Sequence, residues 1–194
     1  MKQHIITLGG MPGSGKSSTA KRLAVELGYQ HFSSGDFLRQ VAETHGWSID
    51  EFNKMAETDP QFDHEVDALI RTTGEEENLV IDSRLAFHWI PQSFKVFLKI
   101  DTHTAAERTL VQIQTEGRVG QAATSAPEIY KKMLARIESE QKRYAALYGI
   151  TDYLNESNYY LVVDTARHSR DEVVKIILEK YRAWLDTKPT STTQ

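Results

Sequence analysis

The sequence of 194 residues contains no cysteine, which excludes disulfide bonds, thiolate nucleophiles and cysteine-ligated metal sites. It has no apolar run long enough to span a membrane, and the run near the N-terminus is too short for a signal peptide. A formal net charge of -4 provides no general attraction to nucleic acid or anionic lipid. The seven histidines show no metal-ligand spacing. We therefore expect a cytoplasmic protein without nucleic-acid or membrane partners.

Hydrophobic residues nevertheless make up 40% of the chain, which is enough for a packed core. Short apolar runs alternate with longer segments of helical periodicity. The strand-like runs are, in order, HIITL, YQHF, NLVID, FKVFLKI and YYLVV. This alternation predicts an α/β fold with a parallel sheet covered by helices on both faces. Such sheets bind ligands at the carboxyl ends of their strands.

Local signals also predict where helices begin and where the chain is loose. A serine followed three residues later by glutamate forms a capping box, which predicts helix starts after Ser48 and Ser125. The polar, glycine-containing segment 116–127 predicts a mobile loop. Residues 186–194, DTKPTSTTQ, predict a flexible tail. We therefore expect one domain over residues 1–185.

The segment GGMPGSGKSS contains a phosphate-binding motif, because residues 10–17 match G-x-x-x-x-G-K-[ST] without exception. Glycines let successive backbone N–H groups point at phosphate oxygens, and the next helix adds its positive N-terminus. Lys16 would contact the β- and γ-phosphates of ATP, and Ser17 would ligate Mg²⁺. A strand before the loop and a helix after it are also predicted. The residues predicted to hold ATP are Gly10, Met11, Pro12, Gly13, Ser14, Gly15, Lys16, Ser17 and Ser18.

A carboxylate follows the third strand-like run, because NLVID ends at Asp82. At the carboxyl end of a buried strand, Asp82 would orient Mg²⁺ or its bound water, as the second acidic motif of phosphate-loop enzymes does. A strand-end aspartate can also cap the following segment. Both interpretations of Asp82 stay open at the level of sequence.

Two short segments could hold a second, phosphate-bearing substrate. In SSGDFLR, Asp36 and Arg39 are three residues apart and share one face of a predicted helix. In DSRLA, Arg84 comes just after the strand that ends at Asp82. A guanidinium binds phosphate through two parallel hydrogen bonds, which an ammonium cannot do. Each segment alone is a weak signal, because arginines are common on surfaces.

A third segment, RIESEQKRY, places Arg136, Glu140 and Arg143 four and then three residues apart on one helical face. Lys132 extends this stripe toward the N-terminus. Phosphoryl transfer needs positioned phosphates and cations that stabilise the spreading negative charge. The alternative is a solvated helix with ion pairs worth only tenths of a kcal/mol. The preceding phosphate loop favours the catalytic interpretation.

The combination of GMPGSGKSS, FSSGDFLRQVA, DSRLA and RIESEQKRYAALYGI resembles the nucleoside monophosphate kinases, and within them the short cytidylate kinases of archaeal type. The resemblance covers residues 4 to about 180. It implies a three-layer P-loop fold with a five-stranded parallel sheet, an acceptor-binding helical insert at about 35–75 and a short lid at about 114–126. It also implies transfer of the ATP γ-phosphate to CMP or dCMP with Mg²⁺, by a monomeric enzyme.

The resemblance assigns roles to particular side chains. Lys16, Arg108, Arg136 and Arg143 would be catalytic, the three arginines converging on the transferred group. The acceptor would be held by Ser34, Asp36, Arg39, Arg84, Glu140 and Asp152. Glu140 would either orient an arginine or meet the acceptor sugar. Magnesium would be held by Ser17 and Asp82.

The chain departs from the family pattern at two positions. Relatives often carry a second arginine where this chain has Gln112, and Arg118 in the expected lid could replace it. Ser83 stands where glycine is expected. Two other functions therefore stay open: a kinase of another acceptor, such as AMP or a small metabolite, and a nucleotide-binding regulatory module with weak catalysis.

Overall fold

The computed structural model describes residues 4–116 and 125–187. These residues form a three-layer α/β fold around a sheet of five parallel strands. The strands are β1 (Ile5–Gly9), β2 (Gln30–Ser33), β3 (Leu79–Asp82), β4 (Phe94–Lys99) and β5 (Leu161–Asp164). Their order across the sheet is β2-β3-β1-β4-β5. The predicted parallel sheet with helices on both faces is confirmed.

Eight α-helices connect or follow these strands in the described part of the chain. They are α1 (Lys16–Leu27), α2 (Ser34–Thr44), α3 (Ile49–Thr58), α4 (Gln61–Thr73), α5 (Ala86–Trp89), α6 (Thr102–Glu116), α7 (Ala126–Tyr148) and α8 (Arg170–Thr187). A single 3₁₀ turn spans Glu156–Asn158. The four-residue α5 was not predicted, because one turn is too short to show a helical period.

The central strand β1 shows why the sheet is covered on both sides. Its five residues are all buried, and neighbouring side chains point to opposite faces. Ile6 and Leu8 belong to the core formed with α1 and α8, whereas Ile5 packs with Ile70 of α4 and Ile90 beside α5. A strand buried on both faces is continuously apolar, as HIITL is.

The parallel register brings the ends of the strands together at one edge. Leu8 of β1 pairs with Asp82 of β3, and Ser33 of β2 pairs with the same residue. The segments that begin at Gly10 and Ser34 therefore leave the sheet side by side with Asp82. This edge is where the predicted site residues should meet.

Helices α2, α3 and α4 correspond to the predicted insert at about 35–75. The insert has an apolar cluster of its own, in which Ala42, Phe52 and Ala56 are buried. Trp47 and Phe62 pack against this cluster with partly buried rings. The division of the chain into core, insert and lid stays a prediction, and residues 117–124 of the expected lid lie outside the described residues.

One predicted helix cap forms and another does not. Ser48 and Glu51 make the complete capping box, in which each side chain binds the other residue's backbone N–H. The predicted helix start after Ser125 is confirmed, but the Ser125 side chain makes no capping hydrogen bond, so the predicted capping box was wrong. A box that sequence analysis missed caps α8, where the Ser169 N–H donates to Glu172 Oε2 over 2.7 Å. A proline in the first turn of α7 leaves one backbone N–H fewer that needs a cap.

The C-terminal boundary also shifts slightly from the prediction. Helix α8 continues to Thr187, two residues into the predicted tail, and residues 188–194 lie outside the described residues. Among the helices that the structure describes, none combines the length and the apolar character needed to cross a bilayer.

Candidate active site

The phosphate-loop motif forms a tight turn between β1 and α1. Gly10, Gly13 and Gly15 have φ angles of 133°, 80° and 85°, which only glycine adopts readily. A Cβ atom at Gly13 would also lie 2.8 Å from the carbonyl oxygen of Ala105 on α6. The loop therefore packs so closely against α6 that position 13 has no room for a side chain.

Lys16 is the first residue of α1, and its side chain folds back over the loop. Its Nζ donates hydrogen bonds to the carbonyl oxygens of Gly10 over 2.6 Å and Met11 over 2.9 Å. Burial and the Arg84 guanidinium lower the pKa of Lys16 to about 7, against the opposing effect of the Asp82 carboxylate. Burial and the nearby guanidinium disfavour the charged form of Lys16, and a bound phosphate would stabilise that form.

Two serines of the loop differ in their hydrogen bonding. The Ser14 hydroxyl is buried and has no hydrogen-bond partner among the described residues. A phosphate oxygen entering the loop would provide the missing partner. Ser17 lies in the first turn of α1 as predicted, and the neighbouring Ser18 Oγ donates to the Gly15 carbonyl over 3.0 Å. Met11 and Pro12 form the partly exposed outer part of the loop.

Asp82 lies at the end of β3 and is 3% exposed. Ser33 Oγ donates to its Oδ1 over 2.8 Å, and His31 Nε2 lies 3.1 Å from its Oδ2. Both partners come from β2, so the neighbouring strand orients the carboxylate. Leu85 is the N-cap of the following helix α5, and the role of Asp82 toward magnesium stays a prediction.

A buried carboxylate joins two of the predicted arginines. Glu140 on α7 is 2% exposed. Its Oε1 accepts a hydrogen bond from Arg136 Nε over 2.8 Å, and its Oε2 forms an ion pair with Arg84 Nε at 2.7 Å. The Tyr153 hydroxyl donates to the same Oε2 over 2.7 Å. Glu140 therefore positions one arginine from α7 and one from the segment after β3.

The charge of this cluster is fixed by its partners. Burial disfavours ionisation of Glu140, but the Arg84 and Arg136 guanidiniums outweigh it and hold its pKa at about 2. Burial raises the pKa of the bonded Tyr153 hydroxyl far above its usual range, which keeps that group a proton donor. Two guanidiniums and one carboxylate leave an excess of one positive charge, to which Lys16 adds. The cluster is suited to an anion.

Arg84 and Arg136 share Glu140 as their partner. Each contacts this carboxylate through Nε, and the Tyr153 hydroxyl also interacts with Arg84. Both side chains line a cleft between α7 and helices α2 to α4. We call this space the central cleft, and the predicted residues that line it are Ser34, Arg84, Arg136, Glu140 and Arg143.

Arg143 also lines the central cleft, but its guanidinium is engaged. Its Nε donates to Asp63 Oδ2 of α4 over 2.8 Å, and its Nη1 donates to Ser139 Oγ over 2.9 Å. With side chains 12% and 13% exposed, Arg143 and Asp63 form a shielded ion pair between α7 and the insert. To reach a transferred phosphate, Arg143 would have to exchange this partner.

The other predicted residues lie apart from the central cleft. Arg108 on α6 donates through Nη2 to the Thr165 carbonyl over 2.8 Å, just beyond β5. Asp36 and Arg39 form an ion pair on α2, with about half of each side chain exposed, 45% and 52%. Asp152 accepts from the Leu154 N–H in a turn after α7. The acceptor or catalytic roles of Arg108, Asp36, Arg39 and Asp152 stay predictions.

Several residues of the site were not found from the sequence. Tyr153, Asp63 and His31 bind predicted residues, but none of them belongs to a motif. Asp63 and Arg143 are 80 residues apart, and His31 and Asp82 are 51 apart. Such pairs become visible only when the fold brings their elements together.

The lowered pKa of Lys16 predicts that ATP binding takes up a proton. At pH 8 much of the free protein has a neutral Lys16, whereas bound phosphates favour the ammonium form. ATP affinity should therefore fall as the pH rises above about 7, with uptake of up to about one proton. Calorimetry at pH 8 in two buffers of different ionisation enthalpy measures this uptake directly.

Lys21→Met provides the matched control, because Lys21 is an exposed lysine on the same helix. It should leave the proton uptake unchanged. Equal ATP affinity at pH 7 and pH 9, without proton uptake, would contradict the lowered pKa of Lys16.

Comparison with known proteins shows which family and which fold the chain resembles. A protein-family model described as an AAA domain matches residues 9–125. The cytidylate kinase of Halobacterium salinarum is 37% identical over 193 residues, covering 96% of this chain and 95% of that protein. The crystal structure of shikimate kinase from Bacteroides thetaiotaomicron superposes with a TM-score of 0.65 at 16% identity, covering 92% of this chain and 98% of that one. This last likeness shows the fold alone.

A longer relative is also similar. The S-adenosylmethionine-dependent nucleotide dehydratase of Lacinutrix mariniflava is 35% identical over 179 residues, which include 91% of this chain. The chain spans only 36% of that protein's length.

The phosphate loop, the five-stranded parallel sheet and the arginine-lined cleft together define a P-loop kinase. The comparisons narrow this class further. The chain belongs to the nucleoside monophosphate kinases and is similar to their archaeal cytidylate kinases.

Proposed function

We propose that this kinase transfers the γ-phosphate of ATP to CMP or dCMP, giving ADP and CDP or dCDP. The observation that carries this proposal is the pair of guanidiniums, Arg84 and Arg136, which line the central cleft and contact the buried Glu140 through Nε. The similar cytidylate kinases support the choice of acceptor.

The donor would bind in the phosphate loop. Enzymes of this family generally use ATP and Mg²⁺. The unpartnered Ser14 hydroxyl and the Lys16 ammonium fit a polyphosphate inside the loop. Ser17 and Asp82 would hold the metal, which supplies charge neutralisation between the β- and γ-phosphates. Within residues 4–116 and 125–187 no cluster of three or more His, Asp or Glu side chains could hold a metal ion alone, so most ligands would be phosphate and water.

The acceptor would place its phosphate against Arg84 and Arg136. A phosphate oxygen of the acceptor forms a bond to the γ-phosphorus while the bond from that phosphorus to the β,γ-bridging oxygen breaks, leaving ADP. The transferred group carries spreading negative charge in the transition state. Lys16, Arg84 and Arg136 stabilise this charge from fixed positions, so little reorganisation is needed during the reaction.

A coupled assay of ADP release tests the proposal with CMP, dCMP, UMP, AMP and shikimate as acceptors. We expect the highest kcat/KM with CMP or dCMP, and little ADP release when no acceptor is present. A far higher kcat/KM with AMP or shikimate would replace the pyrimidine assignment by a kinase of that acceptor. ATP binding without turnover of any acceptor would instead favour a regulatory module.

A further inference from the structure

The segment after α7 supplies a buried side chain that belongs to none of the sequence motifs. Tyr153 is 1% exposed and packs with Leu85, the residue that follows Arg84, and with Tyr144 of α7. Its ring meets the Tyr144 ring edge to face, with the ring centroids 5.4 Å apart. The Tyr153 ring is therefore held between the helix that carries Arg136 and the segment that carries Arg84.

The hydroxyl of Tyr153 is a donor to a nearly inaccessible carboxylate. It donates to Glu140 Oε2 over 2.7 Å, and Glu140 is 2% exposed. Arg84 Nε lies 2.7 Å from the same oxygen, but its N–H is not aligned for a hydrogen bond. The Tyr153 hydroxyl thus supplies an aligned hydrogen bond at an oxygen to which the Arg84 Nε supplies charge. Losing a hydrogen bond to a charged group at such a buried position is costly.

Tyr153 is itself anchored toward the phosphate loop. Its carbonyl oxygen accepts a hydrogen bond from the Tyr159 hydroxyl over 3.2 Å. The Tyr159 ring lies so close to Gly9 that a Cβ atom there would be 2.3 Å from the hydroxyl oxygen. Gly9 ends β1 and leads directly into the loop that begins at Gly10. A continuous set of contacts therefore joins the phosphate loop to Glu140 and the two arginines beside it.

We propose that Tyr153 is a positioning residue for phosphoryl transfer, because its hydroxyl fixes the Glu140 carboxylate and thereby both guanidiniums that contact it. This inference rests on the proposed function and adds a residue to its site. Without the hydroxyl, Glu140 Oε2 keeps a charged partner but loses a donor, so the plane of the carboxylate is less restrained. Both guanidiniums then lose a fixed orientation, and a displacement of about 1 Å can cost roughly a hundredfold in rate.

Tyr153→Phe tests the inference, because it removes the hydroxyl and keeps the buried ring. We expect kcat with ATP and CMP to fall roughly tenfold to a hundredfold, since the charge of the transition state then meets misaligned guanidiniums. The Kd of ATP, measured by calorimetry, should stay unchanged, because Lys16 and the phosphate loop are untouched. A near-normal kcat, or a loss of ATP affinity as large as the loss of kcat, would overturn the positioning role.

Tyr181→Phe is the matched control. It removes another fully buried tyrosine hydroxyl, which lies 3.2 Å from the Tyr29 hydroxyl in the core formed with α1 and α8. The control should keep the wild-type kcat, even where thermal unfolding shows that it lowers Tm as much as Tyr153→Phe does. Equal losses of kcat in the two variants would mean that the effect is one of general stability, and the proposal would fail.

Glu140→Gln tests whether the hydroxyl acts through this carboxylate. That variant alone should lower kcat. Adding Tyr153→Phe to it should lower kcat by less than about twofold further, since the group through which the hydroxyl acts is already changed. If the two losses multiply instead, Tyr153 acts by another route, which contradicts the inference.

A measurement without turnover keeps this inference apart from the proposed function. Nitrogen-15 NMR of the nucleotide-free protein follows the Nε–H groups of Arg84 and Arg136, assigned with Arg84→Lys and Arg136→Lys. In Tyr153→Phe both signals should shift and exchange with water roughly tenfold faster or more, whereas Tyr181→Phe should leave them unchanged. Unchanged signals in Tyr153→Phe would exclude the positioning role. If the wild type turns over no nucleotide, the proposed function fails, and these signals still decide whether Tyr153 fixes the guanidiniums.

Discussion

Replacing Arg136 with alanine is expected to raise the activation free energy by about 3 to 7 kcal/mol, which lowers kcat by roughly two to five powers of ten. Arg136 is 25% exposed, contacts Glu140 through Nε, and lines the central cleft. Because the charge of the transferred group spreads most in the transition state, the loss should fall on kcat rather than on ATP affinity. Steady-state kinetics with CMP, together with calorimetric ATP binding, measures both quantities.

Two further variants make this result interpretable. Arg136→Lys keeps the charge but not the planar pair of donors, so it should recover only part of the lost activity. Lys142→Ala removes an exposed cation, 74% accessible, from the same helix and should change kcat little. An Arg136→Ala enzyme with near-normal kcat would mean that the stripe on α7 is only a solvated face.

Most strands and helices of the fold could be predicted from the sequence, because each has a local sequence pattern. The run HIITL predicts β1, and the glycines after it predict the loop. The strand order could not be predicted, because no local pattern indicates that β1 lies between β3 and β4. The cap at Ser48 was predicted correctly, whereas the one at Ser125 was not. A capping pattern states only that the hydrogen bonds can form, and the surrounding backbone decides whether they do.

The phosphate loop could be predicted because its parts are contiguous. Both hydrogen bonds that the described structure shows for Lys16 go to carbonyls five and six residues away, so the motif alone specifies these two bonds. The arginine cluster was predicted only as candidates, since Arg84 and Glu140 come from distant segments. The sequence could not show that Glu140 positions Arg84 and Arg136 rather than binding the acceptor itself. It also gave no sign that Arg143 is engaged by Asp63.

The arrangement explains how one chain can keep several cations close together without a ligand. Each cation except Lys16 has a fixed partner: Glu140 for Arg84 and Arg136, and Asp63 for Arg143. Glu140 is ionised at any physiological pH, because its pKa is about 2. The cation without a carboxylate partner is Lys16, and its pKa is lowered from the usual value. Lys16 is thus the group that gains most when phosphates arrive.

Lys16→Ala should consequently abolish turnover, with a loss of at least about 10³-fold in kcat, because the migrating phosphate loses its cation in the loop. The same change should not weaken the nucleotide-free protein. Its folded-state pKa lies below the unfolded value of 10.5, so the charged form opposes folding. That opposition is fully present below pH 7 and fades between pH 7 and 10.5. Thermal unfolding at pH 6.5 with and without ATP measures both effects.

We expect the Lys16→Ala variant to unfold at or above the wild-type temperature, and ATP to stabilise it much less than it stabilises the wild type. Lys21→Ala is the control for removing a cation from α1 and should keep both the activity and the ATP-dependent shift. A variant that unfolds well below the wild type would show that the bonds of Lys16 to Gly10 and Met11 outweigh the cost of its charge. If the variant turned over substrate at the wild-type rate, the phosphate loop would have no role in the reaction.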